Sequence, residues 1–353
     1  MEKSLEGRVA LIAGATRGAG RGIALSLAEA GAHVWCTGRS TRADPGRGHG
    51  GKNPFELGRR PETIEETADL VAARGGSATA VRVDHTSEAE VAELVARIER
   101  ESVRLDVLVN DVWGGDEHTE WGKPLWELSG DKGSSLVDRV LRTHFNTSRH
   151  ALPLLLRAPR GLVVEITDGD FLGYRGNVFY DLAKVVPLRL ALGLTADLAA
   201  RRLSQVTAVA LTPGFLRSEA VLDFLGVTEE NWRDAIAKDP HFAESETPRF
   251  VGRAVVALAS DPNVSAKAGR ALSSWGLARE YGFDDADGRR PDWSRHFERV
   301  IDELLERPGA LTEEERALLH ARYFQLVLDA APDRLQAMAE RLELYSPRVL
   351  SER

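Results

Sequence analysis

At 353 residues, 43% hydrophobic and 28% charged, the chain has the composition of a soluble globular protein, long enough for one large α/β domain with additions or for two domains. A net charge of −8 gives no electrostatic footprint for nucleic acid or an anionic membrane surface. The single Cys36 excludes an internal disulfide and fits a reducing, cytoplasmic setting. No signal peptide, no apolar run of membrane-spanning length and no metal-ligand spacing among the nine histidines is evident.

The first informative stretch is Val9-Ala-Leu-Ile-Ala13, an apolar run of the length of a buried parallel strand. Gly14, Gly18 and Gly20 follow, and from Ile23 to Ala30 the chain continues at helical spacing. Glycine suits this turn because the backbone bends sharply and must let a phosphate come close. The helix behind it aims free N–H groups and its positive dipole end at that phosphate. The arrangement reads as a dinucleotide site, with an ordinary tight turn as the plain alternative.

Residues 32–37 form the second expected strand, in which Cys36 reads as a core residue. The strand runs into Gly38-Arg39-Ser40, where an NAD site would usually carry an acid for the ribose 2′-hydroxyl. Arg39 there, with Arg17 inside the glycine turn, suits a 2′-phosphate, and NADP(H) is the expected cofactor. Residues 42–60 read as an inserted loop whose Arg42, Arg47, Lys52, Arg59 and Arg60 either help that phosphate or are simply solvated. A helix is expected over 64–73, a strand over 79–83 closed by Asp84, an amphipathic helix over 88–101 and a fourth strand over 105–110. Such regular alternation implies a doubly wound α/β fold with a parallel sheet.

The glycine spacing, Asp84 and Leu105-Asp-Val-Leu-Val-Asn110 together resemble the short-chain dehydrogenase/reductase family. The family's Tyr-x-x-x-Lys pair matches Tyr180-Asp-Leu-Ala-Lys184, and its Pro-Gly after the sixth strand matches Pro213-Gly214. The resemblance spans about Leu5 to about Gly282 and implies a Rossmann-type fold. It implies a cofactor held at one end by Gly14, Thr16, Arg17, Gly18, Gly20 and Arg39, with Asp84 and His85 beyond the third strand. Asn110, Tyr180, Lys184, Pro213, Gly214, Phe215 and Ser218 complete that expected set. In the family the segment after the sixth strand, here 215–248, is the substrate lid.

Departures from the pattern fall on the chemistry. The family's Asn-Ala-Gly is here Asn110-Asp-Val-Trp-Gly114, and its relay asparagine aligns with His144. The strand before the tyrosine, which ends in two serines in the family, reads Val163-Val-Glu-Ile-Thr-Asp168. Asp168 therefore stands at the catalytic serine position, with Thr167 just before it. A branch with His at the helix position and Asn-Val before the tyrosine is similar to Gly176-Asn-Val-Phe-Tyr180.

Tyr180 and Lys184 are four residues apart and so share one face of a helix. A phenol with a pKa of about 10 needs help to work as an acid–base, and the expectation is that Lys184, with the positive nicotinamide ring of the oxidised cofactor, lowers it. Asp168 has three readings: neutral and donating, ionised against a cationic substrate, or a turn cap while Thr167 donates. Trp113, Phe171, Tyr174 and Phe215 lie on loops after parallel strands and suit a bulky or ring-containing substrate, with core packing the alternative for each.

A helix is expected over 250–260, a last strand over 269–276 and a charged linker over 284–290. The division expected is a cofactor-binding domain over 1–290 and a helical extension over 291–353 packing on the core or a partner subunit. The function expected is NADP(H)-dependent hydride transfer between nicotinamide and the carbonyl or alcohol of a small molecule, by a homo-oligomer. The alternatives are C=N reduction or epimerisation of a cationic substrate, or a non-catalytic NADP-binding protein.

Overall fold

The computed structural model describes residues 3–44, 60–169, 174–328, 337, 338 and 341. Of the expected features, Arg47, Lys52, Arg59, Phe171 and nearly all of the stretch after residue 328 lie outside them. Seven strands, β1 (Val9–Ala13), β2 (His33–Gly38), β3 (Ser77–Arg82), β4 (Val107–Asn110), β5 (Gly161–Ile166), β6 (Val206–Thr212) and β7 (Ala271–Ser273), form one sheet. Their order is β3-β2-β1-β4-β5-β6-β7 and every pairing is parallel. The chain order reverses between β1 and β4, so a crevice opens at their carboxyl ends, where such sheets bind ligands.

The crossovers are α1 (Gly18–Glu29), α2 (Ile64–Ala72), α3 (Glu88–Ser102), α4 (Gly130–Leu155) and α5 (Val178–Ala200). After β6 come α6 (Glu219–Leu225), two short 3-10 turns, α7 (Pro248–Ser260) and α8 (Ser274–Tyr281). Alternate residues of the strands face opposite layers. Ala10, Ile12, Val34, Cys36, Val107 and Val109 pack on α1 and α7, whereas Leu11, Trp35, Leu108 and Val163 pack on α3, α4 and α5. Cys36 is fully buried and burial pushes its thiol up to about 12, in keeping with a core role.

The last strand is a correction. Only Ala271–Ser273 is extended, and the expected continuation to residue 276 is the first turn of α8. Helical spacing carries both Trp275 and Ala278 into a cluster with Phe250, which an extended chain would not do. Residues 215–248 have their own small core of Leu225, Val227, Trp232, Ala235 and Phe242. Beyond the linker, α9 (Trp293–Glu306) and α10 (Glu313–Leu328) share a separate cluster of Ile301, Leu304, Leu319 and Tyr323 with Met338. Trp293, at the start of α9, packs edge-on against Phe215, which follows β6. Among the described residues, no helix is long and apolar enough to cross a membrane.

Candidate active site

The glycine turn is built for close approach. Gly14 has a φ of +99°, and a Cβ there would sit 2.5 Å from the Asp111 carbonyl oxygen. A Cβ on Gly20 would meet the Gly14 carbonyl at 2.2 Å, so neither position takes a side chain. At the start of α1 the Gly18 N–H donates to Glu219 Oε2 at 2.8 Å, and the Gly20 N–H donates to the Asp111 carboxylate. Both carboxylates hold donors that a phosphate would use, which shows that this helix end accepts anionic oxygens. Glu219 was not foreseen, because it lies far away in sequence on the first turn of α6. Ser218 caps that helix, accepting the Val221 N–H.

Just after β2 Arg39 is exposed, and its guanidinium lies 3.2 Å from where a Gly114 Cβ would be. Arg17 is engaged: its Nε donates to Glu62 at 3.2 Å, and Arg60 clamps the same carboxylate. Burial pushes the Arg17 guanidinium down, with Glu62 opposing. Burial also works against the Asp84 carboxylate, but the Thr86 hydroxyl and N–H, with Arg39, hold it below the usual range. Thr16 lies against Gly38, where a Cβ would meet its hydroxyl at 2.6 Å. The His85 ring is turned inward: it bridges Thr37 and Thr147 at 2.8 Å each, and burial lowers it to about 4. Its side chain ties β2 to α4 and has no nitrogen left for a ligand.

Asn177 caps α5 by accepting the N–H groups of Phe179 and Tyr180, both at 3.0 Å. That cap starts the helix so that Tyr180 and Lys184 project together on one face. The Tyr180 hydroxyl donates to Asp168 Oδ2 at 2.7 Å, and Arg175 Nη1 donates to Asp168 Oδ1 at 2.7 Å. With an acceptor role at both oxygens, Asp168 is an ion-paired carboxylate, not a neutral donor. Thr167 does not replace it, since its hydroxyl donates to the Lys184 carbonyl at 2.5 Å.

The surroundings of Tyr180 oppose the lowering expected from Lys184. Burial and the Asp168 charge hold the Tyr180 phenol well above its usual value. Burial lowers the Lys184 ammonium, which Asp168, Asp111 and Asp116 oppose. That ammonium lies 3.8 Å from the Trp113 ring centre, a cation–π contact. Trp113 and Trp121 pack on the Tyr180 ring with centres 5.3 and 4.9 Å away. Asp116 accepts the Trp113 indole N–H at 2.8 Å and is pushed up by burial to about 6.

His144, buried on α4, places Nδ1 2.5 Å from Glu165 Oε2 and Nε2 3.3 Å from the Val112 carbonyl oxygen. Asn110 donates to Glu165 Oε1 at 2.9 Å and to Ser148 at 2.8 Å, while its own Oδ1 is buried without a partner. Glu165 was missed by sequence reasoning, although an acid inside an apolar strand was the signal for it. Of the other expected contacts, Gly214 donates its N–H to Glu246 at 2.9 Å and Tyr174 is exposed. Phe215 packs against Phe242 and against Trp293 of α9. Trp113 alone of the described substrate candidates touches Tyr180.

The family model for short chain dehydrogenase matches residues 49–224. The chain is 34% identical over 294 residues to mouse dehydrogenase/reductase SDR family member 1, covering 82% of this chain and 86% of that one. The human protein of the same name is 33% identical with the same coverage. A solved dehydrogenase/reductase from Sinorhizobium meliloti superposes with a TM-score of 0.58 at 22% identity, covering 77% of this chain and 95% of that one. This chain is thus an oxidoreductase of the short-chain dehydrogenase/reductase family, whose members use a nicotinamide cofactor.

Proposed function

We propose that the protein is an NADP(H)-dependent carbonyl reductase of bulky or ring-containing small molecules, with Tyr180 as the proton donor. The observation that carries this reading is the Tyr180 hydroxyl, held as a phenol by Asp168 at 2.7 Å beside the rings of Trp113 and Trp121. A phenol kept protonated is the form needed to protonate a carbonyl oxygen, so the reductive direction is favoured. The bound nicotinamide would supply the hydride. The N–H groups of Gly18 and Gly20 suit its pyrophosphate, and exposed Arg39, assisted by Arg17, suits a 2′-phosphate.

Trp113 positions the Lys184 ammonium from one side, and its ring, with that of Trp121, offers a face to an aromatic substrate. The Arg175 ion pair offsets the Asp168 charge, which disfavours a cationic imine as substrate. Exposed Leu141 and Phe145 on α4 and Leu182 and Leu192 on α5 support a homo-oligomer. The test is NADPH oxidation with aromatic ketones and quinones, using Tyr180→Phe as the comparison.

A further inference from the structure

We propose that Asp111 is a proton-holding residue that couples nucleotide binding at α1 to the catalytic lysine, an inference that rests on the NADP(H) reading above. Asp111 follows β4 directly, and its N–H donates to the Ala13 carbonyl at 2.8 Å. Its main chain is wedged against Gly14, and its carboxylate accepts the Gly20 N–H. On its other side is a cavity of about 30 Å³ lined by Asp111, His144, Lys184 and Pro187, among others. Pro187 has no N–H to give the helix there, which loosens α5 beside that cavity. One carboxylate thus touches both the anion-binding end of α1 and the space beside the lysine.

The charged groups around it have opposite effects. Lys184 on α5 and His144 on α4 favour the carboxylate, and His144 is itself paired with Glu165 of β5. Glu219 stands on the neighbouring Gly18 N–H, and Asp116 competes for Lys184. Burial outweighs the favourable partners and brings the carboxyl to about 7. A pyrophosphate on the same helix end adds negative charge and disfavours the ionised form further. Asp111 therefore takes up a proton as the nucleotide binds, and nucleotide affinity falls as pH rises through 7. The bound nicotinamide would supply the hydride; as Tyr180 gives its proton to the substrate oxygen, the phenolate takes one from Lys184. The carboxyl O–H of Asp111 then breaks and a new N–H forms on Lys184 across the cavity, leaving Asp111 ionised.

The experiment is calorimetric titration of the full-length protein with NADPH near pH 7, in two buffers of different ionisation enthalpy. Asp111→Asn keeps an acceptor for Gly20 and removes the titrating proton. The parent should take up a substantial fraction of a proton on binding, and the variant should lose most of that uptake. Infrared difference spectra should show a new protonated-carboxyl band when NADPH binds the parent. Binding without proton uptake, or an equal uptake by parent and variant, overturns the inference alone. Should the variant fail to fold, absence of the carboxyl band in the parent overturns it. Failure of both NADPH and NADH to bind overturns the cofactor reading and this inference with it.

Discussion

Tyr180 donates its hydroxyl hydrogen to Asp168, and Arg175 holds the other oxygen of that carboxylate, each at 2.7 Å. The anion keeps the phenol protonated, the reverse of what a serine at that position would do. Asp168→Asn and Asp168→Ser should each lower the Tyr180 pKa. The alkaline limb of the pH–rate profile for reduction, where the phenol is lost, should then move to lower pH. Both variants should retain turnover of neutral ketones, and Asp168→Ser should preserve or raise it because serine can donate to the substrate oxygen. A limb that stays in place in both variants would make Asp168 a turn residue only.

Arg39 is the exposed cation at the end of β2, whereas Arg17 already shares Glu62 with Arg60. Arg39→Asp should weaken NADPH by about 1.5–3 kcal/mol while leaving NADH much less affected. Titration of parent and variant with both nucleotides checks this. Equal affinity of the parent for the two would remove the basis for NADP(H) preference.

Glu219 caps the Gly18 N–H and lies 3.5 Å from Arg21, so an anionic ligand at this helix end must displace it. Glu219→Gln removes the competing charge and should tighten NADPH binding by about 0.3–1 kcal/mol, the usual worth of a charge at a helix end. Weaker binding in that variant would show that the carboxylate helps the nucleotide instead.

Glu246 is fully enclosed, accepts from Gly214 and Ser274, and is pushed up by burial to about 8. Its folded-state pKa lies above the unfolded value of about 4.3, so the unfolded chain sheds the proton first as pH rises. Stability from this group is fully present below about pH 4 and is lost progressively up to about 8. The melting temperature should therefore fall across that window, and Glu246→Gln should flatten the slope. A parallel slope in the variant would assign the effect to other groups.

Local pattern carried much of the fold. The apolar run at Val9–Ala13 and the glycines after it were legible because strand burial and close backbone approach leave direct marks on composition. Tyr180 and Lys184 were legible through the family motif they match, and helical spacing then put them on one face. What stayed hidden depends on tertiary folding. Arg175 pairs with Asp168 from seven residues further along the chain, and Glu219 meets Gly18 across 201 residues, so neither contact is marked by local spacing. The start of α8 was misread because Leu272 and Trp275 suit either an extended or a helical chain, and packing of Trp275 on Phe250 decides between them. The groups that oppose Lys184 stayed hidden because neither the burial of the Tyr180 ring nor its bond to Asp168 can be read from spacing.

The most direct measurement is the rate of NADPH oxidation with a panel of aromatic ketones and quinones, made on the parent and on Tyr180→Phe. Nucleotide binding is followed in parallel. The phenylalanine ring can still pack against Trp113 and Trp121, so NADPH affinity should be nearly unchanged. Loss of the proton donor should cut turnover by about 10²–10⁴-fold. A variant that binds NADPH and turns over carbonyl substrates at the parental rate would contradict the account.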